Sequence, residues 1–354
     1  FVNGIGIMRP VHSLKDFKEL LQAGFESNEE SLEAFGKTYS TQLKAYLVES
    51  NKDTPDSFPG TLISWRKIDS SGWYSNQSAE SPNTLFLDCT RDRVWIIYSL
   101  LDATESDLIV DNWVRNTRDL DSCWLSRGHL LHWEKLDGWN RRGIGLRFSD
   151  GLSPEENAGN FSLKAWHGAN RYVEGLDEIL KIAQDRFAIY SVRFQKKSGG
   201  SISISAEWYS DGKVTINRAV DADEVLVSVS EMANRYADSL KEATNLRDKT
   251  LAPFEIDFSQ RIDDLDTFAS AVTKGQGVMK LWLVETESDR DFRRFKGIDL
   301  HTWDRILLDV GPDYVYITIP GKGCVNAAPR LAVLQGEDNA GKASIYHDGM
   351  EVFA

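Results

Sequence analysis

Leu43-Lys44-Ala45-Tyr46-Leu47-Val48-Glu49 returns late in the chain as Met279-Lys280-Leu281-Trp282-Leu283-Val284-Glu285. Leu85-Phe86-Leu87-Asp88 through Val94-Trp95-Ile96 likewise returns without a gap as Ile306-Leu307-Leu308-Asp309 through Val315-Tyr316-Ile317. Upstream of each block, Leu14, Phe17 and Gly24 match Leu265, Phe268 and Gly275. Each of these stripes has helical spacing and runs into a glycine suited to a left-handed C-cap, with Ser13 and Asp263 or Asp264 as N-caps. The connections shorten in the second copy while the elements keep register, as expected if surface loops vary and packed strands do not. The pattern predicts an internal duplication of a helix-strand-hairpin unit.

Between the copies lies a different unit. Phe187 to Phe194, Ile202 to Tyr209 and Val214 to Arg218 read as three antiparallel strands, joined at Ser198-Gly199-Gly200 and Ser210-Asp211-Gly212. Glu224 to Leu246 follows as a helix with Val225, Val229, Met232, Tyr236 and Leu240 on one side, and a shorter helix is expected around Leu176 to Ala183. Phe254 to Phe258 alternates as a strand, and Ala343 to Phe353 reads as a closing hairpin around Asp348-Gly349. The fold expected is α+β: internally duplicated helix-strand-hairpin units flanking a central three-stranded antiparallel unit with helices. The parts are 1–150 for the first copy with a Trp/Arg-rich helical extension, 151–253 for the centre and 254–354 for the second copy.

A chain of 354 residues has the length to bury sizeable cores without staples. Cys89, Cys123 and Cys324 are too few and too scattered for a disulfide framework, which points to a reducing, cytoplasmic compartment. No apolar run reaches the length of a membrane span. Phe1 to Ile7 is apolar but short and lacks a basic flank, so it does not read as a secretory signal; an edge strand and sequence upstream of a start at Met8 both remain open. The net charge of -13 opposes general attraction to nucleic acid or anionic lipid, which leaves local patches to decide.

Three constellations carry candidate chemistry. The carboxylates Glu49, Asp88 and Asp92, matched by Glu285, Asp309 and Asp313, sit at strand ends and turns where they would hold Mg²⁺ for a phosphodiesterase. The plainer reading makes them turn formers and strand terminators. Cys123, His129 and His132 offer thiolate and imidazole to Zn²⁺, with His167 or Asp137 needed as a fourth ligand; the plainer reading is a buried thiol with two satisfied histidines.

The stretch from Trp113 to Arg147 carries Trp113, Trp124, Trp133 and Trp139 among Arg115, Arg118, Arg127, Lys135, Arg141, Arg142 and Arg147, seven cations against four anions. Trp and Arg dominate protein interfaces, and the same residues pair phosphates and stack bases. They are also what fills a junction between domains, with Arg stems lying over rings. Within the stretch, Asn140-Arg141-Arg142-Gly143-Ile144-Gly145 sets two glycines, which admit a close backbone approach, beside two guanidiniums.

No phosphate loop, nucleophile elbow or cysteine-nucleophile signature is present in the sequence. No cofactor is therefore expected. The reading that follows is a non-enzymatic binding or scaffold component whose partner is another protein, bound through Trp113 to Arg147. Nucleic-acid binding through that stretch and a divalent-metal phosphodiesterase are the alternatives.

Overall fold

The computed structural model describes residues 11–26, 42–58, 63–76, 84–149, 160–166, 187–250, 252–262, 264–274, 278–338 and 341–354. The expectations placed on Phe1 to Ile7, Leu176 to Ala183, Asp263 and Gly275 lie outside these residues. The architecture is α+β, with two antiparallel sheets and six α-helices among the described residues.

The first sheet has eleven strands: β1 (Leu43–Ser50), β2 (Trp65–Lys67), β3 (Trp73–Asn76), β4 (Leu85–Asp88), β5 (Val94–Ser99), β6 (Leu120–Ser122), β7 (Trp139–Ser149), β8 (Asn160–Trp166), β9 (Ala188–Ser198), β10 (Ser201–Tyr209) and β11 (Lys213–Ala219). Their order is β2-β3-β4-β5-β1-β11-β10-β9-β7-β8, with β6 paired to β1. The three central strands expected from the sequence thus join the sheet of the first copy. Seven strands make the second sheet: β12 (Phe254–Phe258), β13 (Leu281–Asp289), β14 (Phe292–Asp299), β15 (Arg305–Val310), β16 (Tyr314–Thr318), β17 (Ala343–His347) and β18 (Met350–Val352). Their order is β13-β14-β15-β16-β12-β17-β18.

β1 is buried along its whole length because both faces of the sheet are covered there. Leu43, Ala45 and Leu47 join the main core with Phe86, Ile96 and Tyr98, beneath α1 (Leu14–Phe25) and α4 (Ala222–Lys249). Tyr46 and Val48 point the other way and pack with Leu87, Trp95 and Ile97 under α2 (Ala103–Asn116), which contributes Val110, Trp113 and Val114. This two-sided burial explains why the strand reads as a continuous apolar run rather than an alternation. α3 (Arg127–Leu130) packs on α4, α5 (Leu265–Lys274) covers β13 and β14, and α6 (Ala327–Asp338) packs against β12 and β17 as well as β7 and β9. The main core therefore runs through both sheets.

The expected duplication is not confirmed by the strand order. β1 lies between β5 and β11, whereas β13 is an edge strand, and the place beside β16 belongs to β12. The two hairpins also differ in register. Leu87 faces Ile97 in the first, but its counterpart Leu308 faces Ile317 rather than Thr318. The matching residues are apolar strand positions, which specify burial and leave the neighbouring strand open. Ser13 and Asp264 do cap their helices, accepting from Asp16 N at 3.1 Å and Thr267 N at 3.2 Å. Gly24 is not a C-cap, since α1 continues to Phe25 and ends on Glu26 with ordinary right-handed dihedrals.

Candidate functional site

The seam between the sheets is polar and dry. Glu49 continues the row of Leu43, Ala45 and Leu47 toward the α4 side, and at the end of β1 it meets residues of the second sheet. Its Oε1 accepts from Arg93 Nη2 at 2.5 Å and from Cys324 Sγ at 3.3 Å, while Oε2 lies 3.1 Å from His301 Nε2. That last pair is close but not aligned as a hydrogen bond, which leaves Glu49 Oε2 without a hydrogen-bond partner; His301 Nε2 lies 3.3 Å from Asn51 Nδ2, and its Nδ1 has no partner. Arg93 Nη2 also reaches Cys324 Sγ at 3.2 Å and Nη1 reaches Thr244 on α4 at 3.3 Å. Glu49 and His301 are fully buried, and Cys324 nearly so.

Behind this group, Arg330 of α6 bridges two carboxylates, donating to Asp121 at 2.6 Å and Asp299 at 2.8 Å. Asn326 adds a bond to Asp121 at 2.9 Å and accepts from Tyr236 of α4 at 2.5 Å. Lys280 donates to the carbonyls of Val114 and Leu120, both at 2.6 Å, closing the C-terminal end of α2. Three carboxylates thus face three cations, which is the balance a region shielded from water requires.

The charges respond accordingly. Burial works against ionised Asp121, but Arg330, then His301 and Lys280, outweigh it and hold the carboxyl below its ordinary range. Burial pushes Lys280 down to about 8 against the pull of Asp121. Burial and then Glu49 push the Cys324 thiol well above its usual value, with Arg93 opposing.

The residues expected to act do not form one surface. Trp113 and Trp133 are fully buried, and Trp124 and Trp139 nearly so. Trp133 stacks with Trp139 and Trp208 inside the main core, at ring-centre distances of 4.4 and 5.1 Å. Their indoles supply packing area rather than a recognition face. Arg115 pairs with Asp111 along α2, Arg118 lies 5.7 Å over Trp303, Arg141 pairs with Glu134 at 2.5 Å, and Arg147 lies 4.8 Å over Tyr190. Arg127 and Arg142 are half-buried. Gly143 and Gly145 are interior residues of β7, where a side chain on Gly145 would run into Ser191 and Tyr190 of β9. The glycines admit a neighbouring strand, not a ligand backbone.

Two proposed metal sets are also dispersed. Glu49, Asp88 and Asp92 do not converge, and neither do Cys123, His129 and His132; among the described residues the group of three that does converge is Glu49, His301 and Cys324. Asp88 shapes its turn by accepting from Thr90 N at 2.9 Å and pairing with Arg91 at 2.6 Å. His129 bonds Ser126 and Ser239, while His132 turns to Glu231, 3.8 Å away. The converging set escapes sequence reading because Glu49 and Cys324 stand 275 residues apart.

A second feature lies on the outer side of α4. A groove of about 920 Å³ follows the helix, walled by Arg91 and Trp73 on one flank and by Glu351 to Ala354 on the other. Asp223, Val227, Asn234, Asp238 and Glu242 recur at spacings of four and seven residues and form one exposed stripe. The groove carries six carboxylates against three cations. The cations are engaged locally: Lys18 with Asp223, Arg91 with Asp88, and Arg235 with the carbonyl of Ala354.

The protein MJECL33 of Methanocaldococcus jannaschii is 22% identical over 297 residues, which cover 70% of this chain and 72% of that protein. A solved structure, the di-domain ARO/CYC StfQ from the steffimycin biosynthetic pathway, covers 58% of this chain and 85% of its own at 12% identity. Its TM-score of 0.13 carries no argument about fold. Among the described residues no helix is long and apolar enough to cross a membrane. The family description "MJECL33-like protein" matches residues 6–335, and the chain belongs to that family.

Proposed function

We propose that the protein is a non-enzymatic binding component of a larger assembly, and that the groove along α4 receives a basic segment of a partner protein. The observation that carries this reading is the exposed pair of Asp238 and Glu242 on α4, in a groove whose cations are already engaged. A lysine- or arginine-rich segment gains long-range attraction to such a stripe, while the exposed Val227 provides apolar contact at its middle. The free thiols of Cys89, Cys123 and Cys324 support a cytoplasmic setting.

The test is a titration with a fluorescent Lys/Arg-rich peptide, beside an acidic peptide and a single-stranded oligonucleotide. The basic peptide is expected to bind with affinity that falls with salt, and Asp238→Lys with Glu242→Lys to weaken it at least tenfold. Binding that survives both changes places the partner elsewhere. Oligonucleotide binding that is lost in Arg118→Ala and Arg147→Ala supports the nucleic-acid alternative instead.

A further inference from the structure

We infer that Glu49, His301 and Cys324 form a buried site for a thiophilic transition-metal ion of the zinc class. One ligand atom from each lies within 4.8 Å of the others, and all three residues are buried. Ligands at tetrahedral positions around zinc stand about 3.3 to 3.8 Å apart, given bonds of roughly 2.0 to 2.3 Å. Glu49 reaches the other two through different oxygens, Oε1 at 3.3 Å from Cys324 Sγ and Oε2 at 3.1 Å from His301 Nε2, so the ligands stand at the near edge of that range and need to spread by a few tenths of an ångström to admit the ion.

The orientation is the second observation. Glu49 Oε2 and His301 Nε2 approach closely without aligning as donor and acceptor, and Glu49 Oε2 is left without a hydrogen-bond partner where water does not reach, while Nε2 has Asn51 Nδ2 at 3.3 Å. Buried polar atoms are seldom orphaned, and an ion between Glu49 Oε2 and His301 Nε2 would satisfy the carboxylate oxygen, with the Asn51 amide giving up its contact with the ring. Sulfur, imidazole and carboxylate together select a borderline-soft ion over Mg²⁺ or Ca²⁺.

Binding exchanges the thiol proton of Cys324, released to solvent, for a metal-sulfur bond. The divalent charge is then met by the thiolate and the Glu49 carboxylate. Arg93 already donates to Glu49 Oε1 and Cys324 Sγ, so it serves as an outer partner that fixes both ligands. Its side chain is 25% exposed, which lets water take up the charge that Glu49 no longer neutralises. Because the ligands come from opposite ends of the chain, the ion would clamp the two sheets, and loading would accompany folding.

The full chain, purified under reducing conditions without chelator or histidine tag, is assayed for zinc after unfolding, then refolded with Co²⁺. About one zinc per chain and a near-ultraviolet thiolate-to-cobalt charge-transfer band are expected, with a melting temperature above that of chelator-treated protein. The band should persist in Cys89→Ser and disappear in Cys324→Ser. Should Cys324→Ser fail to fold, the wild-type arms decide alone. Substoichiometric zinc together with no charge-transfer band in refolded wild type overturns the site, as does a band that survives in folded Cys324→Ser.

Discussion

Two side chains show how burial turns a single residue into a condition on stability. His129 is enclosed by Ser126, Ser239 and Tyr236, and burial, then Arg235 and His132, lower its pKa to about 3. The unfolded chain takes up this proton near pH 6.5, so between pH 6.5 and 3 the unfolded state binds more protons and stability falls as pH falls. In urea titrations, His129→Gln is expected to lose about 2 kcal/mol less than wild type between pH 7 and pH 5. An unchanged difference would show that His129 is protonated in place. Arg330 is the second. Its planar fork spans Asp121 and Asp299, and a lysine ammonium is a compact point charge that pairs with one of them. Arg330→Lys should therefore cost roughly 3 to 5 kcal/mol, read as a lower urea midpoint at unchanged slope.

At the scale of elements, much of the fold is legible in the residues. Leu85–Asp88 and Phe254–Phe258 are strands over the residues expected, the helix read at Glu224 to Leu246 occupies Ala222–Lys249, and Asp348-Gly349 turns the closing hairpin with positive φ at both residues. These elements declare themselves by local periodicity and turn chemistry. The segment from Trp139 to Ser149 does not, because a strand buried among Arg and Trp looks the same in sequence as an exposed binding patch. β14 is missed for the same reason: Arg293, Arg294 and Lys296 interrupt its apolar positions, although Phe295 sits in the core. Of the site, Glu49 is visible as a repeated carboxylate, whereas His301 and Cys324 acquire meaning only through pairing across the seam. Turn chemistry makes one further prediction. Gly212 has φ +84°, its carbonyl accepts from the Leu47 amide at 3.0 Å, and an added Cβ would stand 2.6 Å from Cys123 O. Gly212→Ala should lower stability by roughly 1 to 3 kcal/mol in the same urea assay.

For the whole molecule, the boundary near residue 253 separates the sheets in sequence but not in the core. Among the described residues, all strands before it belong to the first sheet and all after it to the second, yet α4 and α6 each pack against both. Residues 1–253 alone would leave Asp121 without Arg330 and Glu49 without His301. That fragment is expected to show no cooperative thermal transition by circular dichroism, and a sharp transition would show that the first sheet is self-sufficient.

The seam also sets an order of events during synthesis. Asp121 leaves the ribosome well before Arg330, and Glu49, although Arg93 soon follows it, well before His301 and Cys324, so the first sheet cannot close this face while it is being made. Until then Asp121 must stay hydrated. The last step of folding is then a docking event in which water leaves and six charges meet, and a chain stalled before residue 330 would present a wet, acidic edge to the cell's quality-control machinery.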